Sequence, residues 1–394
     1  MNDYILILNA GSSSLKFCVY RPPKDGNLEM VLKGQIEGIG GAAALSAKDS
    51  NGKTLEAKKP YSQIKDAVDA LDALAEWLRA QFKEARIVGV GHRVVHGGTS
   101  YFLPTIVTEE VVSKLRQLIP LAPLHQPYNL AAIDAVSSRL TGVPQVACFD
   151  TGFHRGHDSV IDLVPLPEVI RKQGVQKYGF HGLSYEYISS VIPQVAPEIK
   201  EGRVIVAHLG SGASLCAMRS GKSIDNTLGF TALDGLCMGT RPGSIDPGVV
   251  LYLFQTLGLS VNEVEDILYK KSGLIGISGL SNDMRILIEQ QRDSHSALAI
   301  DYFVYRATKE IGALTAVLKG LDALVFTAGI GENSPFIRER ICESSAWLGI
   351  ELDQSANNTN QFRISAEKSR VSVYVIPTNE ELMIARHLAN KLNL

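Results

Sequence analysis

Two stretches of this chain read alike: an apolar run, a turn of small residues, and a second apolar run. The first is Tyr4-Ile5-Leu6-Ile7-Leu8, then Asn9-Ala10-Gly11-Ser12-Ser13-Ser14, then Leu15 to Tyr20. The second is Val204 to Ala207, then Gly210-Ser211-Gly212-Ala213-Ser214, then a strand from Leu215. An offset of 200 places Ser14-Leu15 on Ser214-Leu215. One such β-hairpin in each half predicts two related domains. Small residues at both turns let backbone N–H groups approach an anion, and serine hydroxyls and Lys16 add to them. A pair of anion-binding turns suits the two ends of a polyphosphate, whereas either one alone reads as an ordinary tight turn.

Bulk properties narrow the class. A chain of 394 residues has room for two or three domains with full cores. With 45% hydrophobic and 20% charged residues it reads as a soluble globular enzyme. A net charge of −2 argues against nucleic acid as a partner. No apolar run reaches the roughly 18 residues that span a bilayer, so no membrane partner is expected. Asp3 running straight into a strand is not read as a signal peptide. The five cysteines lack any C-x-x-C pair and read as reduced core residues of a cytoplasmic protein.

Along the chain, residues 24–60 are expected to hold short strands. Periodicity predicts a helix over 62–85, another over 108–119 and one through 130–140. Residues 144–154 read as a buried strand delivering Asp150 and His154 at its end. After a composition shift near 155, helices are expected at 249–258, 261–271 and 295–319. A strand, glycine loop and helix follow over 323–341, then a strand at 371–377 and a helix at 381–392. Alternating strands and helices indicate an α/β fold.

Several residues carry candidate chemistry. Gly329-Ile330-Gly331-Glu332-Asn333 follows a β-branched strand, and a helix opening near Ser334-Pro335 would offer an anion site after it. It lacks the third glycine of a dinucleotide fingerprint, and a plain structural turn explains it equally well. Gly221-Lys222-Ser223 is no P-loop, because Cys216 stands where that motif needs glycine. His92 and His96 are four apart, but on a strand that spacing does not make a zinc pair. Arg93 at the end of a buried strand and Arg241 amid glycines stand where an arginine can grip a carboxylate or phosphate bidentately. His125 and His181 sit in loops. Asp150 and Glu380-Glu381 supply carboxylates for Mg²⁺, which takes few protein ligands. Asp283-Met284-Arg285 suits either a ligand contact or a helix cap.

Taken together, LNAGSSSLKF, GHRVVHGG, APLH, FDTGFH, YGFHG, HLGSGAS, GTRPGSIDPG, ISGLSNDMR, FTAGIGENS and IPTNEEL closely resemble the acetokinase family, end to end and in that family's order. The family lies within the sugar kinase–actin–heat-shock ATPase superfamily. The resemblance implies two duplicated ribonuclease H-like, actin-like ATPase domains with an interdomain nucleotide cleft. It places one domain at 1–150 plus 382–394 and the nucleotide-binding domain at 151–381. It implies phosphoryl transfer from ATP to acetate, giving ADP and acetyl phosphate, with Mg²⁺ (or Mn²⁺) and a homodimer. By matching motifs, Asn9 and Glu380 would hold the metal and Lys16 would lie near the phosphates. His208, Leu209, Gly210, Ser211 and Gly212 would contact phosphates. Asp283, Met284 and Arg285, with Gly329, Ile330, Gly331, Glu332 and Asn333, would hold the nucleoside. Arg93, Asp150, His181 and Arg241 would form the catalytic group with His125 close by, and Val95, Leu124, Phe180 and Ala232 would line the methyl pocket.

The chain departs from the family's usual pattern at Gln126, Leu183, Tyr185, Ser211 and Ala328, which leaves nucleotide preference open. Ala232 replaces a usual proline and is expected to enlarge the acyl pocket, so propionate or another short-chain acid is the alternative acceptor. A sugar kinase of the same superfamily would use an aspartate to deprotonate a hydroxyl and has no need of two arginines at the acceptor. A non-enzymatic nucleotide switch has no use for Arg93, His181 and Arg241 together, and a metal-dependent hydrolase lacks its ligand spacing.

Overall fold

The computed structural model describes residues 2–24, 27–55, 64–82 and 85–394. The chain is an α/β protein of two compact units, Met1–Gly152 with Asn379–Leu394, and Phe153–Thr378. In the first unit the strands are β1 (Asn2–Ala10), β2 (Ser14–Lys24), β3 (Asn27–Glu37), β4 (Ala44–Asp49), β5 (Thr54–Leu55), β6 (Ala85–Val94), β7 (Thr105–Ile106) and β8 (Gln145–Phe149). They form one sheet in the order β5-β4-β3-β2-β1-β6-β8-β7. The second unit has β9 (Arg203–Leu209), β10 (Ala213–Arg219), β11 (Lys222–Asn226), β12 (Ala323–Thr327) and β13 (Ser372–Val375), in the order β11-β10-β9-β12-β13.

The two sheets share a pattern. In each, a central strand (β1 or β9) pairs antiparallel with the next strand on one side and parallel with a later strand on the other. The series β3-β2-β1-β6-β8 therefore matches β11-β10-β9-β12-β13, and the two sequence hairpins occupy equivalent places. Strand β9 is buried from Val204 to Leu209, as a strand covered on both faces must be.

Helices then close each core. Asp66 caps Ala67–Gln81, which buries Leu71, Leu74 and Trp77. Trp77 meets Phe17 edge-on at 6.0 Å between centroids. The expected helix over 62–85 is thus shorter, and residues 62, 63, 83 and 84 lie outside the described residues, as do 25–26 and 56–60 of the expected strand region. Helix Gln126–Arg139 begins earlier than the expected 130, because Pro127 fits its first turn. In the second unit, Ser294–Leu318 buries Phe303, Ile311 and Leu314, each contributing about 1.5–3 kcal/mol.

The terminal helix Glu380–Leu392 packs on β6, and two glycines explain how closely. A Cβ at Gly89 would come within 2.7 Å of Leu392, and one at Gly91 within 2.6 Å of Ile384. Bare backbone there lets the helix seat its first turn, Glu380 and Glu381, beside the ends of β1 and β6.

Two expectations are corrected. The strand over 144–154 stops at Phe149; Gly152–His154 is a 3₁₀ turn, and His154 belongs to the second unit. Its ring is committed to Ser223 and the Phe180 carbonyl, both at 2.9 Å. The glycine loop before Ser334 is itself helical, Ala328–Asn333, followed by a second helix, Pro335–Ser344. The buried Arg338 holds that junction. It donates to the Gly331 and Glu332 carbonyls at 2.9 Å each and to Asn357 and Asn360. Burial lowers its pKa to about 10, and its five donors satisfy carbonyls that the short helix leaves unpaired.

Candidate active site

The first unit gathers a charged cluster at the C-terminal ends of three parallel strands, where open α/β sheets bind ligands. Asn9 stands near the end of β1, opposite Lys16 in the hairpin, whose turn closes with the Gly11 N–H on the Ser14 carbonyl at 2.8 Å. Arg93 stands near the end of β6. Asp150 follows β8, its N–H donating to the Val94 carbonyl at 3.0 Å.

Arg93 joins them. Its Nε donates to Asp150 Oδ1 at 3.1 Å and Nη2 donates to Asp150 Oδ2. Nη1 donates to Asn9 Oδ1 at 3.3 Å, and Nε lies 3.6 Å from Glu380 Oε2. Asp150 is 1% exposed, while Arg93 and Glu380 each keep 17%. Burial lifts the Asp150 carboxyl to about 6, with Glu380 adding to the rise and Arg93 opposing it. Burial would lower Arg93, but Asp150 and Glu380 outweigh it and hold the guanidinium above its ordinary value. Glu381 is raised by burial and by Glu380, with Lys16 and Arg93 pulling the other way.

This set fits a divalent cation. Fully ionised, three carboxylates face two cations, and the donors are the hard oxygens that Mg²⁺ prefers. Among the described residues no group of three or more His, Cys, Asp or Glu is placed to cage a metal. Mg²⁺ needs no such cage, since it keeps waters and substrate phosphates as ligands.

In the same unit, Val95 is buried and its N–H is taken by Asn129 Oδ1 at 2.9 Å. Leu124 is half-buried, and His125 precedes the helix Gln126–Arg139. Gln126 is buried and grips the His96 backbone from both sides, at 3.1 and 3.0 Å. That departure therefore shapes the strand end carrying Arg93 and Val95. His92 bonds Gln145 at 2.8 Å and His96 accepts from Gly98, so both serve the fold.

In the second unit, the β9–β10 turn closes with the Gly210 N–H on the Gly212 carbonyl at 3.2 Å. Two charged or chargeable groups overhang it. A Cβ at Gly212 would lie 2.8 Å from Arg241 Nη2 and 3.3 Å from His181 Nε2, so a side chain there would displace the arginine head. Arg241 Nη1 donates to the Ala232 carbonyl at 2.7 Å. His181 sits in the left-handed region (φ 56) just ahead of the helix Gly182–Val195. Its ring bonds Ser214 at 2.8 Å and stacks on His208 with 4.2 Å between centroids. A backbone turn flanked by Arg and His offers donors of the kind that suit phosphoryl oxygens.

Beside it opens a cavity of about 680 Å³. Gly210, Ser211, Asp283, Met284, Arg285, Gly329, Ile330 and Asn333 line it, so these expected contacts come together. Met284, Ile288, Ile330, Pro335 and Phe336 give apolar surface for a planar ring, and Asn282, Asp283, Arg285 and Asn333 give polar edges. Asp283 also caps the helix Met284–Glu289 and pairs with Arg285 at 2.6 Å. The sequence reading missed Asn282, Ile288, Glu289, Ser334, Pro335 and Phe336. Helical spacing from Met284 and Arg285 was the available signal for Ile288 and Glu289.

Other expected contacts lie off this lining. Leu209 and Gly331 are buried, and Gly212 underlies Arg241. Glu332 turns its carboxylate to the backbone, accepting from Ala328 N–H at 2.8 Å and Thr378 N–H at 3.0 Å. Lys16 belongs to the first unit. Phe180 and Ala232 belong to the second unit, apart in the chain from Val95 and Leu124 of the first.

Ala328 holds φ +65, a conformation L side chains adopt at a cost. Relief of about 1–2 kcal/mol of strain, less about 0.5–1 kcal/mol for glycine's freedom when unfolded, sets the expectation for Ala328→Gly. Urea unfolding should show a gain of roughly 0.5–1 kcal/mol; a loss would show that the methyl contact outweighs the strain.

The acetokinase family model matches residues 4–386. A protein of Nitrobacter hamburgensis named acetate kinase is 52% identical over 391 residues, covering 99% of this chain and 96% of its own length. A propionate kinase from Francisella tularensis subsp. tularensis superimposes with a TM-score of 0.90 at 38% identity, covering 98% of this chain and 99% of that one. The Porphyromonas gingivalis acetate kinase gives a TM-score of 0.87 at 35% identity, covering 99% and 100%. With the family's pattern matched almost from end to end, the chain belongs to the acetokinase family.

Proposed function

We propose that this chain transfers the γ-phosphoryl group of ATP reversibly to the carboxylate of acetate, giving ADP and acetyl phosphate. The observation that carries the reading is Arg93, a guanidinium locked by Asp150, Asn9 and Glu380 where a planar carboxylate can be gripped. Acetate is ionised at neutral pH, so no strong base is needed. Asp150 then orients Arg93, while Arg93 orients the acceptor. Arg241 and His181, over the Gly212 turn, stabilise charge on the transferring oxygens. Mg²⁺, held through Asn9 and Glu380, would neutralise phosphate charge when bound. The cavity lined by Ile330, Met284 and Phe336 suits the nucleoside.

Propionate is a second acceptor, favoured by Ala232 in place of a bulkier residue. One methylene is worth about 1–3 kcal/mol, so kcat/KM for acetate should exceed that for propionate by less than about 200-fold. A hydroxamate assay with acetate, propionate, glycerol and no acceptor tests the reading. Hydroxamate should form only with the two acids, and Asp150→Asn should lower turnover at least about tenfold. ADP release with glycerol or without acceptor, or an unaffected Asp150→Asn, overturns it.

We also propose a homodimer. Helix Pro247–Gln255 is strongly apolar yet buries none of its residues, leaving Val249, Leu251 and Tyr252 about half exposed. Its self-association is the natural cover for that face. Light scattering should give twice the mass of 42.7 kDa, and Leu251→Glu should shift it toward one. A wild-type monomer contradicts the proposal. The five cysteines are buried free thiols, which supports a reducing, cytoplasmic setting. No helix among the described residues is long and apolar enough to cross a membrane.

A further inference from the structure

The Glu332 carboxylate is the start of a hydrogen-bonded chain that ends on a histidine ring. Glu332 Oε1 accepts from the Thr378 N–H at 3.0 Å and from the Ala328 N–H at 2.8 Å. Ser184 donates its hydroxyl proton to Thr378 Oγ1 at 2.8 Å. The same Ser184 Oγ lies 2.8 Å from His208 Nδ1. A serine hydroxyl has one proton, and here Thr378 takes it. Ser184 can then only accept from His208, so the ring carries its proton on Nδ1. The stack with His181 and the edge-on Tyr185 ring, at 6.2 Å, fix the plane of the same imidazole.

We infer that Ser184, Thr378 and Glu332 are positioning residues that lock His208 in its Nδ1–H tautomer and hold it against His181. This rests on the phosphoryl-transfer reading above, in which His208 and His181 attend the phosphates. Neutral His208 in that form can only accept at Nε2, and donates there only on taking up a second proton. The chain has a mechanical side too. One carboxylate anchors both the Ala328 turn, which opens the cavity-lining helix Ala328–Asn333, and the Thr378–Ser184 arm behind His208. One carboxylate thus ties the cavity wall to the arm behind the histidine pair. The Glu332 carboxylate is thereby the anchor of this arm.

The test uses the full chain labelled with ¹⁵N-histidine, and long-range ¹H–¹⁵N spectra that distinguish the two tautomers. His208→Gln assigns the signal. Wild type should show His208 protonated at Nδ1. Thr378→Val keeps the shape but removes the acceptor, which frees Ser184 to donate to His208 and should turn the ring to the Nε2–H form. Ser184→Ala should lower kcat about tenfold or more, with KM for ATP within about threefold, and Ser184→Thr should restore most of it. An Nε2–H tautomer in wild type, no change in Thr378→Val, or an unchanged kcat in Ser184→Ala overturns the inference. Because the tautomer is read without turnover, an absence of acetyl phosphate in wild type would sink the proposed activity and leave the chain's own test standing.

Discussion

The buried Arg93–Asp150 pair is the contact around which the first unit is arranged. A carboxylate 1% exposed at a strand end cannot stay ionised alone, and removing its arginine from such a pair costs about 3–5 kcal/mol. The pair forms because β1, β6 and β8 run parallel and end together, bringing Asn9, Arg93 and Asp150 to one edge. Its fourth member, Glu380, comes from the far end of the chain. That is why the terminal helix must return to β6, and why β6 carries Gly89 and Gly91 where that helix lands. The result is a guanidinium with its orientation fixed and a surplus of negative charge beside it, the two requirements for an anionic acceptor and a divalent cation.

The second unit meets an analogous demand with different parts. Its hairpin turn offers backbone donors, and Gly212 keeps the space in which Arg241 and His181 approach them. Behind the turn, hydroxyls rather than charges do the fixing: Ser214 holds His181 and Ser184 holds His208. Each of the two stacked rings has a hydroxyl partner of its own, which fixes the pair in place.

Much of this was legible in the residues. The duplicated hairpins were visible because both halves alternate an apolar run with small turn residues, and the structure puts both in equivalent sheet positions. The cap at Asp283 was readable because Asp before a helical run is a local signal. What failed to show was long-range. Glu332 bonds Thr378, 46 residues away, and nothing local to GIGEN announces it. Ala328 gives no sign of a left-handed backbone, since alanine favours helix; the conformation is imposed by its neighbours and by the Glu332 carboxylate. Gln126 stands out in the sequence only as a departure from the family's pattern, and its clamp on the His96 backbone is visible only in the folded chain.

The central claim is that the Arg93 guanidinium grips the carboxylate acceptor. The direct measurement is kcat/KM for acetate in Arg93→Ala, with and without added millimolar guanidinium. The account predicts a fall of about 10²–10³-fold, partly restored by guanidinium entering the vacated site between Asp150 and Asn9. Activity within tenfold of wild type, or no restoration in a variant whose circular dichroism is native, would contradict it.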